Sequence, residues 1–229
     1  LPARLRAHRH SRCSEDDKVL EVFTEHNSKN ELAATGLIVP KGAIVTNTED
    51  INAVVETLQG AFALKALGIA HKSEAGAVKL NLKSREDITQ SFQEISGLSE
   101  SFLLEEMAPK PLAELIIGVT RDPVCGLLLT IGAGGVLTEL LDDTTSLLLP
   151  ASETDIREAL ASLKIGRILE GYRNTDAADI DALVANIVCI ANYAVQNAET
   201  LQELDVNPLF ATQFGSIAVD ALVVKRKIG

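Results

Sequence analysis

The sequence has no tryptophan, and aromatic residues make up only 3% of its 229 positions. A core with so little aromatic bulk has to be assembled from Leu, Ile, Val and Ala. Basic residues are also in short supply, with 21 Lys and Arg against 32 Asp and Glu and a net charge of -11. A chain of that sign repels polyanions, so no nucleic-acid partner is expected and any phosphate must be captured locally. The three cysteines, Cys13, Cys125 and Cys189, are far apart and show no CxxC spacing. That pattern argues against a disulfide framework or a zinc knuckle and points to a reducing, cytoplasmic setting. Apolar runs stop well short of the roughly 18 to 20 residues of a membrane span, so no membrane partner is expected. Residues 1–17 hold a basic run followed by an acidic one, without the apolar stretch of a signal peptide, and read as a linker or boundary segment.

What remains is ordinary globular material, 46% apolar and 23% charged, enough for one or two domains. From Lys18 onward, helical and strand-like periods alternate, which places the chain in the α/β (α+β) class. Ile51, Val54, Val55 and Leu58 recur at helical spacing behind Thr48 as the cap. Ala61 to Ala66 reads as a strand. Val78, Leu80 and Leu82 alternate with polar residues as a half-exposed partner, giving a hairpin around His71 to Gly76. Ser84 with Asp87, and Ser152 with Asp155, have capping-box spacing and open two helices. Phe102 to Met107 is a strand, and Pro109 and Pro111 then break the chain at the candidate lobe boundary, separating residues 18–107 from 108–229. Leu115 to Val119 and Leu127 to Ile131 form two strands joined through Asp122-Pro123. Ile180 to Val195 carries a long apolar helical face, and Leu201 to Val206 and Ser216 to Val224 are closing strands.

Three groups of residues could carry chemistry. Lys65 lies within an apolar strand, where its ammonium must snorkel, pair or meet a bound anion, and it is followed by His71 and by a glycine-bearing turn at Gly76. Gly132-Ala133-Gly134-Gly135 after a strand either lines a ligand pocket or makes a plain turn; its spacing is not the GxGxxG dinucleotide fingerprint. Glu203, Asp205 and Asn207 share one face of a strand whose turn is fixed by Pro208, and a return strand can bring Asp220 beside them. Such hard oxygen donors suit Mg²⁺, which uses one or two protein oxygens together with substrate phosphates; a solvated polar face is the other reading.

Taken in order, FALK, AHKSEAGAVKLNL, LLEEMAP, AELIIGVTRDP, GAGGVLTELLDD, ELDVNPL and IAVDAL resemble the ATP-grasp domain of the ADP-forming acyl-CoA synthetases, relatives of succinyl-CoA synthetase, from Lys18 to Val224. The resemblance implies an ATP-grasp fold of two lobes, each with a mixed or antiparallel sheet and helices, with the nucleotide between them. It implies that Lys65 reaches the nucleotide phosphates and that the Gly76 hairpin closes over them as a lid. Glu105, Glu106 and Met107 would form the hinge whose backbone reads the adenine edge, Glu114 would contact the ribose, and Asn207 and Asp220 would hold Mg²⁺. His71 matches a histidine that is transiently phosphorylated in some members, relaying phosphate between the nucleotide and a second phosphohistidine in the CoA-binding part. The implied reaction is acid + CoA + ATP giving acyl-CoA + ADP + Pi. ATP/ADP and Mg²⁺ would bind here, and CoA mainly on domains outside this chain. The CoA-binding α part would be a separate subunit or belong to the same longer chain, in a hetero- or homo-oligomer; the linker-like start without Met favours the fused form. The alternative is a regulatory nucleotide-binding module, as in synthetase-like protein acetyltransferases.

Overall fold

A computed structural model describes residues 19–69, 72, 75–135, 143–173 and 175–227. In chain order the elements are β1 (Leu20–Val22), α1 (Glu25–Ala33), β2 (Gly42–Val45), α2 (Thr48–Val55), β3 (Phe62–Ala66), β4 (Val78–Leu82), α3 (Arg85–Ile95), β5 (Phe102–Glu106), β6 (Ala113–Asp122), β7 (Gly126–Ala133), β8 (Thr144–Leu148), α4 (Glu153–Ser162), α5 (Gly166–Leu169), α6 (Ile180–Gln196), β9 (Leu201–Thr212), β10 (Gly215–Ala218) and β11 (Ala221–Arg226). The strands form two antiparallel sheets. One has the order β2-β5-β3-β4, and the other β1-β11-β9-β6-β7-β8 with β10 also paired to β9.

Each sheet has its own core, built mainly from aliphatic residues. In the larger sheet, alternate residues Leu115, Ile117 and Val119 of β6 and Leu129 and Ile131 of β7 are fully buried on one face. They pack in one cluster with Ile156 and Leu160 of α4 and Ile187 and Ile190 of α6. The intervening residues of β6, among them Glu114 and Gly118, point to the opposite face. The smaller sheet packs Leu64 and Leu104 against Ile51 of α2 and Ile88 of α3. Phe92 and Phe102 meet edge-to-face there at 5.0 Å between ring centroids. Leu32 of α1 joins the larger core, so this helix packs with the sheet formed mostly from the second half of the chain.

The capping boxes at Ser84/Asp87 and Ser152/Asp155 are both formed. Four details differ from the sequence reading. The cap of α2 is Asn47, whose side-chain oxygen accepts from the N–H groups of Glu49 and Asp50, while Thr48 is the first helical residue. In β4 the alternation fails because the register against β3 shifts between Phe62 and Leu64, with Asn81 at φ 59°. That bulge turns Leu80 outward to 56% exposure. The single closing strand is two, β10 and β11, broken at Val219-Asp220. Pro208 lies inside β9 rather than at a turn; it follows a cis Asn207-Pro208 bond, and the ladder to β6 shifts register between Leu115 and Ile117.

Candidate functional site

Helix α1 begins behind the Thr24 cap, and its buried residues are Glu25, Ser28, Lys29 and Leu32, an inward face that is mostly polar. Glu25 accepts from Lys29 Nζ at 2.8 Å and Lys65 Nζ at 2.7 Å, and it also pairs with Lys72. Lys65 and Lys29 both reach Glu105 on β5, at 2.6 and 2.8 Å. Lys65 further donates to the Val219 carbonyl at 2.9 Å, and Lys72 to Asp220 Oδ2 at 3.0 Å. Three ammonium groups thus meet three carboxylates where the two sheets approach each other. Of the outcomes open to the Lys65 ammonium, this conformation takes pairing.

The electrostatics follow from that balance. Burial pushes the Glu25 carboxyl up, but the charges of Lys65, Lys29 and Lys72 overcome it and hold it at about 2. Burial alone would lower the pKa of Lys65 and Lys72, yet both are raised, Lys65 by Glu105 and Glu25 and Lys72 by Glu25 and Asp220.

Beside this network lies a cavity of about 480 Å³ lined by Glu25, Gly68, Lys72, Asp205, Asn207 and Asp220, among others. The Asn207 N–H donates to the Asp220 carbonyl at 3.2 Å and the Val219 N–H to the Pro208 carbonyl at 3.0 Å, which fastens β9 to the β10–β11 link. Asp205 forms no ion pair among the described residues, and burial followed by repulsion from Glu203 and Asp220 raises its carboxyl to about 6. Burial and Glu25 raise Asp220 too, partly offset by Lys72 and Lys65.

Among the described residues no group of three or more His, Cys, Asp or Glu is arranged to hold a metal by itself. The cavity instead offers hard oxygen donors, the Asp220 carboxylate and the Asn207 amide, with the uncompensated Asp205 nearby. This donor set fits Mg²⁺, which takes its remaining ligands from water and phosphate.

The other predicted residues are more dispersed. Gly76 has φ +65° and open space where a Cβ would stand. At the end of β5, the Glu106 N–H donates to Lys41 O and the Met107 N–H to Ala61 O, both at 2.8 Å. The Glu106 side chain accepts from the Gln59 N–H at 3.0 Å. These two hinge N–H groups are therefore engaged within the protein, and the Glu105 side chain belongs to the lysine network. Glu114 lines a separate cavity of about 350 Å³ with Gly134, Gly135, Lys164 and Ile165. Glu114 O accepts from the Gly134 N–H at 2.7 Å, and a Cβ at Gly134 would stand 3.1 Å from the Glu114 carbonyl, so glycine permits this close approach of β6. His71 lies outside the described residues, as does 136–142 of the glycine-rich segment. Sequence reasoning gave no role to Glu25 or Lys29 and noted Lys72 only as the neighbour of His71. The i,i+4 spacing of Glu25 and Lys29 was the available signal.

A profile of the ATP-grasp domain matches residues 15–224. The chain belongs to the ATP-grasp family. This ATP-grasp chain is 32% identical over 214 residues to the β subunit of ADP-forming acetate–CoA ligase II of Pyrococcus furiosus, covering 88% of this chain and 91% of the relative. Its fold is similar to that of acetyl-coenzyme A synthetase 1 from Ca. Korarchaeum cryptofilum in complex with coenzyme A, Ca-AMPCP and HgCl+, with TM-score 0.84, 30% identity and coverage of 90% and 94% of the two chains. A second structure of that synthetase, with coenzyme A and Mg-AMPPCP and its phosphohistidine segment pointing towards the nucleotide site, matches with TM-score 0.78 and 32% identity over 88% and 92%. No helix among the described residues of this ATP-grasp chain is long and apolar enough to cross a membrane.

Proposed function

We propose that this chain is the ATP-binding, phosphoryl-transferring part of an ADP-forming acyl-CoA synthetase, catalysing acid + CoA + ATP giving acyl-CoA + ADP + Pi together with a CoA-binding α part. The observation that carries the proposal is the convergence of Lys65 from one sheet with Asn207 and Asp220 from the other in the cleft between them, in a chain similar over most of its length to an acetate–CoA ligase β subunit. Residues 18–107 and 108–229 are read as the two lobes, with β1 and α1 docked on the second. Lys65 turns from its carboxylate partners towards the nucleotide phosphates, and the Gly76 turn closes over them. The ends of β5 and β6, at Glu105, Glu106, Met107 and Glu114, hold the base and ribose. Asn207 and Asp220 hold Mg²⁺, which when bound neutralises charge on the phosphate oxygens. His71 accepts the phosphoryl group on a neutral ring nitrogen and passes it on, a role suited to imidazole near neutral pH. The α part is a separate subunit or lies in the same longer chain, the assembly is oligomeric, and the setting is cytoplasmic.

Intact-mass measurement after incubation with Mg·ATP tests this reading. An acid-labile phosphate adduct is expected on the chain or on its complex with the α part, and it disappears in His71→Ala. Calorimetry that detects no Mg·ATP binding to the folded chain overturns the proposal.

A further inference from the structure

Lys72 has no role in the reading above, yet its ammonium occupies the most telling position in the cavity. It bridges Asp220 Oδ2, at 3.0 Å, and the Glu25 carboxylate. Asp205 and Asn207 line the same cavity. Lys72 is thus the cation that this conformation supplies to Asp220. Its side chain is 18% exposed and that of Asp220 34%, so the pair lies at the mouth of the buried network, where one partner can leave without opening the core. Lys65 and Lys29 sit deeper, 6% and 4% exposed, each between Glu25 and Glu105.

We infer that Lys72 is an internal competitor for the divalent cation: its ammonium neutralises Asp220 while the metal is absent and must swing away when the metal binds. This inference rests on the assignment of Asp220 and Asn207 to the metal. Its physical basis is that an ammonium 3.0 Å from Asp220 Oδ2 and a divalent ion on the same carboxylate, at either oxygen, would repel at close range, so each weakens the hold of the other. The site is competent only in the fraction of molecules whose Lys72 has let go, and the apparent metal affinity is reduced by that fraction. Glu25 keeps a hold on the released lysine, since it is bonded to Lys72 independently of Asp220. The energetic consequence is that the fold tolerates the empty site: with Lys72 in place, Asp220 is not left as an unpaired, partly buried charge.

The test uses Mn²⁺ without nucleotide as the probe, an ion that takes the same oxygen ligands as Mg²⁺. Lys72→Met is expected to tighten Mn²⁺ binding by about tenfold, read by calorimetry or electron paramagnetic resonance, and to show a larger Mn²⁺-induced rise in melting temperature than the parent. Lys72→Arg, which keeps the charge, retains the parent affinity. Asp220→Ala introduced into Lys72→Met abolishes the gain. A merely structural lysine would lower the melting temperature with no extra rescue by the ion. Should Lys72→Met fail to fold, Lys72→Gln carries the same expectation with a polar tip. Mn²⁺ affinity that is unchanged or weaker in the neutral variants but lost in Asp220→Ala overturns the competitor role and leaves the metal assignment standing. Mn²⁺ binding indifferent to Asp220→Ala overturns the metal assignment itself.

Discussion

Two acidic groups that line the same cavity are handled in opposite ways. Glu25 is surrounded by Lys29, Lys65 and Lys72 and is held at about 2. Asp205 is half-buried beside Glu203 and Asp220 and is pushed to about 6. The first is a finished electrostatic joint between the sheets; the second is an unfinished one that gains from an added cation. The difference teaches that burial alone does not set a carboxylate's character. The balance of burial against the charges of both signs within reach does.

The comparison can be broken most forcefully at Glu25. Glu25→Ala takes one carboxylate from three ammonium groups, leaving Lys29 and Lys65 to share Glu105 and Lys72 with Asp220 alone, and is expected to cost about 3 kcal/mol, measured by urea unfolding. A gentler probe is pH. Because the folded-state value of Glu25 is depressed from 4.5 to about 2, its contribution is complete above about 4.5 and drains away as pH falls towards 2. The parent's stability curve should steepen across that window, and Glu25→Gln, compared at the same pH values, should lack that component. At Asp205 the sign reverses: with the folded carboxyl raised from 3.8 to about 6, its penalty builds as pH rises through that interval and is complete above about 6. Asp205→Asn is therefore expected to stabilise the nucleotide-free chain by about 1 kcal/mol at pH 7, a figure kept low for solvent screening, by about half of that at pH 5, and by almost nothing at pH 3. A similarly small effect is expected in the turn that carries Lys72: Gly76→Ala meets open space but keeps a left-handed φ of +65°, so a loss of about 1 kcal/mol is expected in thermal melts.

Much of the fold was legible because it is written locally. The capping boxes of α3 and α4 depend on residues three apart, and the buried alternation of β6 runs through Leu115, Ile117 and Val119. What escaped depends on distant partners. Leu80 is turned outward by a bulge whose origin is the pairing of β4 with β3. Pro208 looked like a turn residue, but β9 runs through it and pairs on both sides of it with β6. The site divides in the same way. Lys65, Asn207 and Asp220 stood out by motif, whereas α1 has no apolar stripe to advertise which side faces inward, and Glu25 meets Lys65 across 40 residues of sequence. The Glu106 and Met107 N–H groups likewise find their partners, the Lys41 and Ala61 carbonyls, in other parts of the chain.

The bond from Lys65 Nζ to the Val219 carbonyl gives the molecule a built-in reporter. That carbonyl belongs to the peptide unit shared with Asp220, so the whereabouts of the lysine are registered on the backbone next to the carboxylate. An isotopic label placed at the Val219 carbonyl would see its vibrational frequency and chemical shift move when the ammonium departs, following the lysine from one sheet by listening to the other.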